Sequence, residues 1–185
     1  KILLATNSNP IFRHSFTANF FIYDIASKKI SKFTEKAIQE PSFSPDGTKI
    51  AYAFENNLFV VDLVSNQETQ ITTDGEKNAI INGITDWVYE EEFDCRDGFR
   101  WSPDSKNILY VSKKLSGAAY AASTNTDIYQ YNLASKTTTN LTSENKGYDT
   151  NPAFSSKGQL AWLQMKRDGY ESDKKDIIVI INGAA

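Results

Sequence analysis

One unit of sequence recurs along this chain. A repeat restricts the fold more than any single residue does, because each copy must fold alike and bury its apolar face on its neighbours. Pro41-Ser42-Phe43-Ser44-Pro45-Asp46-Gly47 leads into apolar runs at 49–54 and 57–63, then Thr69-Gln70-Ile71-Thr72. The same order returns from Phe99-Arg100-Trp101-Ser102-Pro103-Asp104-Ser105 through Thr139-Asn140-Leu141-Thr142. A third copy starts at Pro152-Ala153-Phe154-Ser155 and runs to Ile181, and residues 20–25 with 32–34 resemble the second half of an earlier one. Each copy holds short runs of Val, Ile, Tyr, Phe and Thr between turn residues, which is the all-β pattern. Pro presets φ for a tight turn, and Asp and Gly suit the positions after it. The fold expected is therefore an all-β propeller fragment of about four blade units over residues 1–185, built from four-stranded antiparallel sheets with one short inserted helix.

Tyr23 and Val61 stand about one ~40–45 residue blade apart. The later spacings, Phe43 to Trp101 and Trp101 to Phe154, are longer. The excess marks insertions at roughly 75–97 and 113–126, and long insertions in a repeat usually lie on the functional face. The Ser-Pro-Asp-Gly turns themselves belong to the scaffold.

Charge and rare residues exclude several classes. With 20 Lys+Arg against 23 Asp+Glu the chain lacks the basic footprint of a nucleic-acid binder. One Cys closes no internal disulfide, and one Cys with one His builds no typical zinc site. No apolar run approaches the ~20 residues of a membrane span. There is no signal peptide, and a start at Lys1 suggests that the natural beginning is missing. The pairs Lys28-Lys29, Lys113-Lys114 and Lys174-Lys175 read as charges that discourage edge-to-edge sheet pairing. Asp168, Glu171 and Asp173 lack EF-hand spacing and read as a solvated hairpin. Cys95 has no evident activating neighbour except Arg96.

The segment Asn82-Gly83-Ile84-Thr85-Asp86-Trp87-Val88-Tyr89-Glu90-Glu91-Glu92-Phe93 carries the chemistry. Asp86 suits a helix N-cap, and acidic residues suit a first turn. Three consecutive carboxylates repel one another and usually form a solvated face. Successive helix residues point ~100° apart, so two of the three can converge on a cavity while the third turns away. A convergent pair favours a cation, and a primary ammonium with three donors satisfies both.

This string resembles the double-glutamate motif of the dipeptidyl peptidase IV family, prolyl-oligopeptidase-related serine exopeptidases with an eight-bladed propeller and an α/β-hydrolase domain. Arg13-His14-Ser15-Phe16-Thr17-Ala18, followed by Ile22-Tyr23-Asp24, is similar to the family segment carrying its substrate-binding arginine. The resemblance covers residues 1–93. It implies that Glu91 and Glu92 hold the free α-amino group of a peptide substrate, that Arg13 contacts the peptide and orients them, and that no cofactor takes part. Beside it, Glu90 is expected to point to solvent, Trp87 and Tyr89 to pack the short helix, and His14, with no nearby candidate nucleophile or metal partner, to be structural. From Gly98 onward, Asp127-Ile128-Tyr129, Gly147-Tyr148-Asp149-Thr150-Asn151-Pro152 and Arg167-Asp168-Gly169-Tyr170-Glu171-Ser172-Asp173 are more similar to the related acylaminoacyl-peptidase and dipeptidyl peptidase V branch. The stretch 93–97 matches neither branch well, so a junction or gap is expected near 93–98.

By the same resemblance the chain releases Xaa-Pro or Xaa-Ala dipeptides only together with an α/β-hydrolase domain, in a homodimeric, periplasmic or secreted parent. No Gly-x-Ser-x-Gly elbow occurs and no His follows residue 142, so the chain is expected to bind without cleaving. As half of a ring it would expose sheet edges and associate when isolated. The alternative is a non-catalytic periplasmic platform similar to TolB-type repeats, which leaves Arg13 and the glutamates as coincidences.

Overall fold

The computed structural model describes residues 1–95 and 97–180; Ile181, and Arg96 in the middle of the expected junction, lie outside the described residues. Four antiparallel meanders follow one another. The first contains β1 (Ile2–Pro10), β2 (Phe16–Asp24) and β3 (Lys29–Lys32). The second contains β4 (Gln39–Phe43), β5 (Lys49–Phe54), β6 (Asn57–Asp62) and β7 (Glu68–Gln70). After helix α1 (Trp87–Phe93) the third sheet begins with β8 (Phe99–Trp101) and β9 (Asn107–Ser112). Helix α2 (Gly117–Ala122) interrupts it before β10 (Asp127–Asn132) and β11 (Thr137–Asn140). The fourth sheet is β12 (Asp149–Phe154), β13 (Leu160–Gln164) and β14 (Asp176–Ile180). In each sheet the strands pair in sequence order. The expected propeller fragment of four units is therefore present, with sheets of three or four strands.

The sheets stack face to face, and the period-2 side-chain alternation distributes each strand between two cores. Ile50, Tyr52, Phe59 and Val61 pack toward the first sheet with Phe20, Ile22 and Ile38. Their neighbours Ala51, Ala53, Leu58 and Val60 face the third sheet with Phe99, Trp101, Ile108 and Tyr110. The next layer joins Leu109 and Ile128 to Leu160 and Trp162. A strand flanked on both faces reads as a nearly continuous apolar run, as β5 and β6 do.

The repeated turns are the same device used again. Ser44 Oγ donates to Asp46 Oδ1 at 2.6 Å and accepts from the Lys49 N–H at 2.9 Å. Ser102 Oγ does the same with Asp104 and Asn107, at 2.6 and 2.9 Å. Three first strands also share a bulge at a left-handed residue: Asn7 (φ 53°), Glu40 (φ 50°) and Asn151 (φ 53°). Asn adopts that region readily, whereas Glu does so at a cost.

Glu40 carries a second burden. Burial, then the charge of Asp97, pushes its carboxyl up to about 7 from an ordinary 4.5. The folded protein therefore binds a proton that the unfolded chain has released between those values, so stability falls as pH rises from about 4.5 to 7. Glu40→Asn removes both the charge and the strained φ. Discounted for partial exposure, it is expected to stabilise by roughly 1–2 kcal/mol at pH 8. The gain should shrink at pH 5 in parallel urea titrations; an equal gain at both pH values would assign it to the backbone alone.

Both expected insertions are present. The first leaves after β7 and returns at β8, and its neck is made by two glycines. Gly83 N–H donates to Val111 O at 3.1 Å, and Val111 N–H donates to Gly98 O at 2.8 Å. A Cβ on Gly98 would stand 2.3 Å from the carbonyl carbon of Gly83, so the two backbones meet where no side chain fits. The second insertion forms α2, which the sequence reading did not anticipate. Lys113 and Lys114 at its base are bonded rather than solvated edge charges. Lys114 Nζ donates to Asp74 Oδ2 at 2.6 Å and to Asn82 Oδ1 at 2.5 Å.

Candidate functional site

Seven residues make a helix too short to be stable alone, so the ends of α1 define it. Asp86 is the N-cap: its Oδ1 accepts from the Tyr89 N–H at 2.9 Å. At the other end Asp94 is left-handed (φ 49°), and its N–H and that of Cys95 turn back to Tyr89 O. Tyr89 faces inward as expected, its hydroxyl donating to Thr126 Oγ1 at 2.6 Å and its ring edge-on to Phe93 and Tyr148. Trp87 departs from the packing role expected of it. It is 53% exposed and, with Ile11, Phe12 and Val88, lines an open pocket of about 480 Å³.

The three glutamates take three different environments. Glu90, expected to point to solvent, is only 3% exposed. Its Oε1 accepts from the backbone N–H groups of His14 and Ser15 at 2.5 and 3.1 Å. The reason is local: the turn between β1 and β2 presents two N–H groups with no strand partner, and a buried N–H needs an acceptor. Burial pushes the Glu90 carboxyl up, but the Ser15 hydroxyl and these two N–H groups outweigh it and hold the group below its ordinary 4.5.

With the turn clamped this way, Arg13 reaches the next glutamate. Its Nη2 lies 3.0 Å from Glu91 Oε2, with the arginine side chain 72% exposed and the glutamate 12%. Glu92 is exposed on the adjacent flank of α1. The fold thus brings Arg13 to Glu91 and leaves Glu92 beside them. His14 contributes its backbone N–H, and its side chain is exposed. The chemical result is a partly screened anionic site. One carboxylate is held as an anion by backbone N–H groups, one is shared with an arginine that retains free donors, and one stays open to a cation.

Elsewhere, the thiol of Cys95 is buried 3.2 Å from Asn151 Oδ1, and burial pushes it up, the opposite of an activated thiolate. The loop expected as a solvated hairpin is tied back. Asp168 Oδ1 accepts from Ser123 Oγ and the Thr124 N–H, both at 2.7 Å, and Arg167 forks onto Asp173 at 3.1 and 2.9 Å.

Comparison with known proteins agrees with the architecture. The family model described as the dipeptidyl peptidase IV (DPP IV) N-terminal region matches residues 1–118. Dipeptidyl-peptidase 5 of Porphyromonas gingivalis is 54% identical over 84 residues, which cover 45% of this chain and 12% of that protein. Dipeptidyl peptidase 4 of Felis catus is 40% identical over 115 residues, 60% of this chain and 15% of that protein. The crystal structure of Porphyromonas gingivalis dipeptidyl peptidase 4 superposes with a TM-score of 0.77 at 29% identity, over 87% of this chain and 27% of that one. The chain thus spans 12–15% of the length of these curated relatives. Repeat, stacked sheets, double-glutamate helix and family match all agree: the chain belongs to the dipeptidyl peptidase IV N-terminal-region family, as a segment of its propeller.

Proposed function

We propose that this chain is the N-terminus-recognising propeller portion of a serine-type dipeptidyl peptidase that releases Xaa-Pro or Xaa-Ala dipeptides, and that Glu91, Glu92 and Arg13 bind the substrate. The observation that carries the reading is the Arg13–Glu91 pair at 3.0 Å beside the exposed Glu92, assembled from a turn in the first sheet and a helix after the second. A substrate ammonium donates to the two carboxylates, while the free donors of Arg13 reach a peptide carbonyl. Fixed at a set distance from a nucleophile on an α/β-hydrolase domain, such a receptor measures two residues from the amino end. A peptide bound in another register brings no ammonium to Glu92 and the Arg13-bound Glu91, and so forfeits the charge-assisted hydrogen bonds, worth about 1.5–3 kcal/mol each.

The test compares a Gly-Pro chromogenic amide with its N-acetylated form in the full-length protein. The free amine is expected to react at least about a hundredfold more efficiently, the equivalent of about 3 kcal/mol of lost charge-assisted hydrogen bonding. Equal cleavage of the two would refute the ammonium-receptor role.

A further inference from the structure

The second insertion is built as a brace for the first. Helix α2 is pinned at its carboxyl end by Lys113, whose Nζ donates to Tyr120 O at 2.7 Å and to Ser123 O, and sits 4.1 Å over the Tyr120 ring. At the same end, the Asp168 loop before the last strand of the fourth sheet grips Ser123 and Thr124. Held from both sides, α2 sends one hydrogen bond into α1: Tyr120 Oη donates to Asp86 Oδ2 at 2.5 Å. The other oxygen of that carboxylate caps Tyr89. Asp86 is therefore the hinge between the two helices.

We propose that Tyr120 is a positioning residue for amine recognition, fixing the rotation of α1 through Asp86 and so the directions of Glu91 and Glu92; this rests on the function proposed above. The lever is large. Side-chain ends lie ~5–6 Å from a helix axis, so a rotation of ~20° carries a carboxylate about 2 Å, enough to break a hydrogen bond to an ammonium. Tyr120→Phe keeps the ring under Lys113 and removes only the hydroxyl.

In the full-length enzyme this variant is expected to raise KM for a free-amine dipeptide amide about tenfold with kcat nearly retained. The same amide lacking the α-amino group should be unaffected. Asp86→Asn, which keeps the cap and weakens the bond, should give a smaller change of the same kind. Amide hydrogen exchange supplies a readout independent of turnover, with faster exchange in residues 90–93 of the Phe variant and unchanged β9 and β10. Equal losses on both substrates, or unchanged α1 exchange, would overturn the positioning role. If the wild-type enzyme treats the two substrates alike, the ammonium receptor itself fails and Tyr120 has nothing to position.

Discussion

Glu90→Ala is expected to disable the site although the residue touches no substrate in the proposed pose. The change leaves the N–H groups of His14 and Ser15 without their acceptor. Each orphaned donor costs about 1–3 kcal/mol, so a stability loss of about 2–6 kcal/mol is expected by urea denaturation. The turn then releases Arg13, and the affinity for a free-amine dipeptide should fall with it. Glu90→Gln retains an acceptor oxygen without the charge and should recover most of the stability. A pH profile separates the two effects. Because the folded Glu90 carboxyl lies below its ordinary 4.5, its contribution is complete above about that pH and is lost as pH falls through the lower folded value. Wild type and Glu90→Gln should therefore converge in acid. A constant gap across the acid range would assign Glu90 to packing rather than to the clamp.

Glu91→Gln with Glu92→Gln addresses the receptor directly. Two charge-assisted bonds to an ammonium become neutral ones, each weaker by about 1–2 kcal/mol, so kcat/KM for the free-amine amide should drop about 30- to 1000-fold. The N-acetylated amide should change little or improve. Melting should move less than in Glu90→Ala, because Glu92 is exposed and a Gln at 91 keeps an acceptor for Arg13. Retained preference for the free amine would place the ammonium elsewhere.

Much of this architecture was legible because repetition writes itself into sequence. Ser44-Pro45-Asp46-Gly47 and Ser102-Pro103-Asp104-Ser105 announce the same turn, and the apolar runs between them announce the strands. Asp86 announced α1, since a cap followed by an acidic first turn is a local signal. Which glutamate turns inward was not local. Glu90 is claimed by N–H groups 76 and 75 residues away, and a helix under two turns long has no periodicity strong enough to orient it. Tyr120 escaped for a related reason. Gly117-Ala118-Ala119-Tyr120-Ala121-Ala122 has no apolar stripe, and none of its residues is buried. The lysine pair at 113–114 looked like surface charge because its partners, two carbonyls and the Asp74–Asn82 pair, come from other segments.

The meeting of Gly83 and Gly98 on Val111 closes the neck of a loop whose far end is moored elsewhere. Glu90 holds the turn of the first sheet, Asp86 takes the Tyr120 hydroxyl and Tyr89 reaches Thr126, so the receptor is slung between separate parts of the chain. A change in the angle between the first and third sheets therefore acts on the spacing of Arg13 from Glu91 as well as on the reach of both toward a distant nucleophile.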